Sequence, residues 1–212
     1  MLQYTTIYEE HIHWLESSPR IVVTDGGMEG GKGYFGVIVA VNTIIIARAR
    51  GVARGDHRTM DSFRAEAYGF LAGIYLQRLL TQPTVNKVKS SIHTDSASLL
   101  LVRLFRATAT YVPTGFWLKL DSDIIMQLAE ELKTMPNLKR HYVKGHQDSK
   151  RKKKKDLTLS ERYNIEVDAE AFSMRFQMRQ PTHTVIPFPV STVTIYIRNQ
   201  FISWSLNAQL HE

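Results

Sequence analysis

The sequence predicts an α/β domain, a mixed β-sheet flanked by helices, and three observations carry that expectation. Two β-rich runs, at 34–41 and 43–52, are separated by Asn42 alone, which reads as antiparallel strands joined by a tight turn. The stretch 61–80 repeats apolar residues at three-to-four spacing, at Phe63, Phe70, Leu71, Ile74 and Leu79, the period of a helix. Beyond it, strand-like and helical segments alternate. Strands first and alternation afterwards mean a mixed sheet with helices packed over it.

Taken in order, residues 1–19 read as a short amphipathic helix with Ile7, Ile12, Trp14 and Leu15 as its apolar points, stopped by Ser17-Ser18-Pro19. A strand follows at 20–25, then the meander. Asp61 or Ser62 supplies an N-cap for the helix after it. A strand at 87–94, a helix at roughly 96–108, a helix at 121–135 and a strand at 138–145 come next. Thr158 and Glu161 form a capping-box pattern that opens the last helix, about 159–178. After Gln180 the prolines at 187 and 189 precede a pair of strands around Arg198-Asn199-Gln200, a hairpin-like extension. The domain reading is a helical extension at 1–19, a core domain at 20–179 and a C-terminal extension at 180–212.

Composition narrows the function. The 212 residues suit one domain with an appendage, and 43% hydrophobic content is enough for a core. A net charge of +7 and a pI near 9.6 point to a polyanionic partner. There is no cysteine, which excludes disulfides, thiolate metal sites and a cysteine nucleophile. No apolar run approaches the roughly 18 residues of a membrane span, and the N-terminus carries Glu9 and Glu10 where a signal peptide is apolar. The expectation is a soluble, intracellular protein, cytoplasmic or nuclear, with no membrane partner.

Four acidic residues recur in four settings. Asp25 ends the apolar run IVVTDGG, Glu66 sits inside the 61–80 helix, Asp95 ends VKSSIHTDS, and Asp168 lies on the last helix. A carboxylate at a strand end beside glycine or serine is poorly placed for a core and well placed to hold a divalent cation. Several such groups repel one another unless a cation neutralises them. That is the arrangement metal-assisted phosphoryl transfer requires. Taken singly, Asp25 reads equally as an Asx-turn and Asp168 as a solvated helix face.

The motifs TDGG (24–27), YFGVIV (34–39), SFRAEAYG (62–69), HTDS (93–96), VKGHQD (143–148) and NIEVDAEA (164–171) stand in one order along the chain. With them the sequence resembles the ribonuclease H family, most of all the ribonuclease H domains carried by retroelement reverse transcriptases, over residues 20–178. The resemblance implies a five-stranded sheet, its first three strands antiparallel and its last two parallel to the first. It implies an endonuclease that cleaves the RNA strand of RNA–DNA hybrids with two Mg²⁺ ions, or Mn²⁺, leaving 5′-phosphate and 3′-hydroxyl ends. Neighbouring polymerase domains of a polyprotein are implied partners.

Carried onto this sequence, Asp25, Glu66, Asp95 and Asp168 match the metal-binding carboxylates. Asp25 is expected to bridge the ions, Glu66 and Asp95 to hold the one on the leaving-group side, and Asp168 the one that activates water. His146 matches an auxiliary histidine that serves proton transfer or product release. There are departures: TDGG has glycine where many members have serine, Ala97 replaces a polar residue, and no basic helix-loop stands between 109 and 120.

Substrate-binding candidates complete the reading. Gly26 and Gly27 let the chain approach the RNA minor groove, where backbone groups read 2′-hydroxyls, or simply form a structural turn. Ser62 and Ser96 are candidates for sugar or phosphate contacts. Asn164, one helical turn before Asp168, bonds substrate, orients Asp168, or lies on a helix surface. Lys152 and Lys153, within the cationic run 150–155, attract backbone phosphates, act as a nuclear localisation signal, or belong to a solvated loop. Two rivals stand beside the ribonuclease reading. One is another enzyme of the same fold, such as an integrase, against which the position of Glu66 speaks. The other is a weak or inactive nucleic-acid-binding domain.

Overall fold

The computed structural model of the chain describes residues 4–7, 18–55, 60–80, 89–100, 121–135, 137–146, 156–177, 196–197 and 200–201. Strand β3 (Lys32–Val41) is apolar at almost every position because both of its faces are covered. Phe35, Val37, Val39 and Val41 join the larger core with helices α1 (Ser62–Leu80) and α2 (Ser122–Lys133). Ile38 and Ala40 face the other way, against Tyr163 and Val167 of helix α3 (Leu159–Ser173). Two layers of helix therefore enclose one sheet.

The remaining strands are β1 (Tyr4–Ile7), β2 (Arg20–Glu29), β4 (Ile44–Ala53), β5 (Ser90–Thr94) and β6 (Leu138–Tyr142). The sheet order is β1-β4-β3-β2-β5-β6. Strands β2, β3 and β4 form the antiparallel meander, turning at Asn42 in the left-handed region (φ 56°). Strand β5 runs parallel to β2, and β6 parallel to β5. This is the expected mixed sheet with one strand more than the five expected.

The sixth strand corrects the N-terminal reading. Where 1–19 predicts a helix, Tyr4–Ile7 pairs antiparallel with Ala47–Arg50 of β4. Thr5, Thr6 and Ile7 are β-branched and suit a pleated edge, and the pairing satisfies backbone groups that β4 would otherwise expose. Tertiary pairing overrides a weak helical period here.

Other boundaries follow local chemistry. Asp61 caps α1, its Oδ1 accepting from the Arg64 N–H at 2.7 Å. The capping box at Thr158 and Glu161 is formed in both directions. Strand β2 runs past its expected end at 25 because Gly26–Glu29 continue to pair with Lys32–Phe35. The final helix ends at Ser173 and tightens into a 3-10 turn, Met174–Gln177. A helical turn begins at Ala97 as expected, while 101–108 lies outside the described residues. The C-terminal pair is β7 (Tyr196–Ile197) and β8 (Gln200–Phe201), antiparallel. No helix among the described residues is long and apolar enough to cross a membrane.

Candidate metal centre

Register places the first two carboxylates. The parallel pairing of β2 with β5 ends at Thr24 opposite Thr94, so the next residues, Asp25 and Asp95, emerge side by side just past the last parallel pair, Asp25 within the longer β2 and Asp95 at the carboxyl end of β5. Ligands of open α/β sheets collect at such ends.

Glu66 reaches them because α1 lies almost backbone to backbone on β2. A Cβ at position 26 would fall 2.4 Å from the backbone of Ala65 and Glu66, and one at position 69 would fall 2.9 Å from the Asp25 carbonyl oxygen. Glycine at these two places allows a separation no other residue permits. One oxygen from each of Asp25, Glu66 and Asp95 consequently lies within 4.8 Å of the others.

Asp168 arrives from the opposite layer by the same device. Gly36 is directly opposite Asp25 in the β2–β3 register. A side chain there would strike the Val167 carbonyl oxygen at 2.6 Å and the Ala171 nitrogen at 2.8 Å. Helix α3 therefore settles onto β3 at this point, and brings the half-buried Asp168 close enough to raise the Asp25 carboxyl.

The four groups occupy an electrostatically expensive place. Asp25 is 7% exposed. Burial pushes its carboxyl up to about 8, Asp95 and Asp168 add repulsion, and the Gly26 N–H at 2.9 Å offsets part of this. Burial, then Asp25 and Asp95, raises Glu66 well above the usual carboxylate range. Asp95 is raised by burial and eased by hydrogen bonds with Asn164 and Glu66 and by the charge of His146. Its Oδ1 is buried without a hydrogen-bond partner among the described residues. Crowded carboxylates sharing protons, with one orphaned oxygen among them, form an all-oxygen donor set that suits a hard divalent cation. The arrangement fits a metal.

The other candidates divide. Asn164 is 2% exposed on α3, and the partner the structure gives it is Asp95. His146 is exposed, left-handed (φ 51°) and within electrostatic reach of Asp95. Gly145 before it lies so close to Asp95 that a Cβ would meet Oδ2 at 2.2 Å. Gly26 and Gly27 are packed against this chain itself, Gly26 against α1 and Gly27 against the Tyr34 ring, which gives both a structural reason. Ser62 is exposed at the start of α1; the Ser96 N–H donates to Thr94 Oγ1 at 3.2 Å. Lys152 and Lys153 lie outside the described residues.

Two features escape sequence reasoning. Buried Thr94 contacts Glu66, its Oγ1 donating to Oε2 at 3.4 Å; its place just before Asp95 was the available signal. Arg64, two residues before Glu66, turns away from it. Its guanidinium meets both Asp123 oxygens, at 2.9 and 2.6 Å, and Asp121 at 3.2 Å. Its Nε donates to the Arg54 carbonyl at 2.9 Å. This buried pair ties the start of α1 to α2, two residues from Glu66.

Sheet order, strand directions and the two helical layers together decide the architecture. The fold is that of ribonuclease H. The crystal structure of LC11-RNase H1 in complex with an RNA/DNA hybrid is similar with TM-score 0.50 and 15% identity, over 74% of this chain and 99% of that one. A foamy viral protease–reverse transcriptase in complex with double-stranded DNA gives TM-score 0.55 and 13% identity, over 77% of this chain and 98% of that one. The solution structure of the PFV RNase H domain gives 0.54 and 12%, over 76% and 96%. No family model matches the sequence, and no curated protein does. At such identities the likeness is one of ribonuclease H fold.

Proposed function

We propose that this chain is a ribonuclease H-type endonuclease that hydrolyses the RNA strand of RNA–DNA hybrids with two divalent ions, Mg²⁺ or Mn²⁺. The observation that carries the reading is the convergence of Asp25, Glu66 and Asp95 within 4.8 Å, with Asp168 brought within electrostatic reach of Asp25 from the opposite layer. Asp25 would be common to both ions, Glu66 and Asp95 would hold one, and Asp168 the other. Bound there, such ions supply an activated water and stabilise the leaving 3′-oxygen.

The chain's own residues do the rest. Asn164 fixes the Asp95 carboxylate and Thr94 touches Glu66, so the donor set is oriented before substrate arrives. His146 stands next to Asp95 on an exposed bend, where an imidazole carries a proton to or from solvent. No protein nucleophile is required, and the products carry 5′-phosphate and 3′-hydroxyl ends.

The catalytic unit is residues 20–179, with the segment 1–19 adding an edge strand and 180–212 a further extension. The likeness to a reverse transcriptase structure supports a retroelement polyprotein setting with neighbouring polymerase domains. A soluble protein of the cytoplasm or nucleus fits that setting.

The test is cleavage of a labelled RNA–DNA hybrid beside single-stranded RNA and double-stranded DNA, with Mg²⁺, Mn²⁺ or EDTA. Ion-dependent cutting of the hybrid's RNA strand alone, with 5′-phosphate products, is expected. Salt-sensitive hybrid binding with no cleavage under any ion would replace the enzyme with a binding domain.

A further inference from the structure

Strand β6 forms one edge of the described sheet, and its charge is opposite to that of the centre it leads into. Lys139, Arg140, His141 and Tyr142 are exposed along it, with Lys89 exposed just before β5 and Lys144 just beyond β6. Side chains alternate across a strand, so Lys139 and His141 lie on one face and Arg140 on the other. Both faces of the edge are cationic.

Several cations elsewhere are neutralised by neighbours. Arg48 and Arg50 meet Glu166 and Glu170, Arg78 meets Glu131, Lys133 meets Glu130 at 2.6 Å, and Arg175 meets Glu29 at 3.4 Å. Lys89, Lys139, Arg140 and Lys144 have no carboxylate within ion-pair reach among the described residues. Unneutralised cations kept together on one edge create a local positive field that attracts polyanions.

The edge is also continuous with the carboxylates. The Val143 N–H donates to the Thr94 carbonyl at 3.0 Å, and Gly145 lies against Asp95. From Lys139 to Lys144 an extended chain covers about 16 Å at about 3.3 Å per residue. A duplex advances about 3.4 Å per base pair, so that length matches about five base pairs.

We propose that the β6 edge, through Lys139, Arg140 and Lys144, is a second contact surface for the nucleic-acid substrate, holding backbone phosphates from beside the carboxylate centre, at Lys144, out to about five base pairs from the bond that is cut, at Lys139. The inference rests on the nuclease reading and adds to it a grip outside the carboxylate centre. An acidic protein segment would meet the same charge. The continuity with the centre, and the match between edge length and duplex rise, favour phosphate.

The experiment is equilibrium binding of the full chain to labelled hybrids of about 6 and about 18 base pairs across a salt series. Lys139→Gln combined with Arg140→Gln should weaken binding of the long hybrid by about tenfold at low salt and reduce its log–log salt slope by about 2. Binding of the short hybrid should be unchanged. The charge-keeping pair Lys139→Arg and Arg140→Lys should retain the unaltered slope, and Lys133→Gln, which removes an already paired cation, should change nothing. An unchanged slope for the long hybrid in the double variant overturns the proposal, as does equal weakening of both hybrids. If the unaltered chain binds neither hybrid, the nuclease reading itself fails and this inference falls with it.

Discussion

Asp25 carries an electrostatic cost that its titration makes measurable. Its carboxyl moves from an ordinary 3.8 to about 8 through burial and the repulsion of Asp95 and Asp168. The folded value is raised above the unfolded one. The contribution to stability is therefore fully present below about pH 4 and is lost as pH rises through about 8. In metal-free buffer, Asp25→Asn should melt at the same temperature as the unaltered chain near pH 4 and progressively higher towards pH 8.5. The gain amounts to about 2–4 °C per kcal/mol for a domain of this size. His93 works in the opposite sense: burial and the stacked His141 lower it to about 4, so its contribution is lost as pH falls through 6.5 towards 4. Comparing the two chains at each pH isolates Asp25 from it. Thermal melts in which Asp25→Asn is no more stable at pH 8.5 would contradict the crowding of carboxylates. Asp25 and Asp95 were legible in the sequence because each closes a strand-like run beside glycine or serine. The partners of Arg64 were not, since Asp121 and Asp123 lie 57 and 59 residues further on and belong to another helix.

At the scale of elements, the centre depends on how closely two helices approach the sheet. Gly26 and Gly69 let α1 down onto β2, and Gly36 lets α3 down onto β3. Gly26→Ala should destabilise the chain by about 1–3 kcal/mol, because the new methyl meets backbone and no rotamer relieves it. Glu66 should also be displaced from Asp25, lowering any cleavage more than stability alone accounts for. Denaturant unfolding and cleavage rate, measured side by side, check both; an unchanged unfolding midpoint would refute the close approach. Caps and turns were legible because they are local: Asp61, Asn42 and the Thr158–Glu161 box act within a few residues. Strand β1 was not. Ile7, Ile12 and Leu15 suggest a helix in isolation, and only the open edge of β4, some 40 residues away, makes Tyr4–Ile7 a strand. The close approaches at Gly36 and Gly69 were equally hidden, since a glycine in a strand or helix does not announce which backbone it admits.

Across the whole molecule, charge is sorted by place. Carboxylates gather where the parallel pairing of β2 and β5 ends, cations line the β6 edge, and several of the remaining surface charges are paired across elements. The order of the six motifs made this sheet legible in advance, because five of them mark a strand or helix of the same topology and the sixth begins just beyond β6. A match to any family model or curated protein is lacking, and the structural neighbours share only 12–15% identity. The fold persists where most side chains differ. The most direct measurement is Mg²⁺-dependent cleavage of an RNA–DNA hybrid by the unaltered chain and by Asp25→Asn, Glu66→Gln and Asp95→Asn, with a melting curve of each in EDTA. Cleavage reduced by at least about a hundredfold in every variant, with no loss of melting temperature, is the predicted result. Cleavage that survives these substitutions, or proceeds in EDTA, would contradict a metal centre built on Asp25, Glu66 and Asp95.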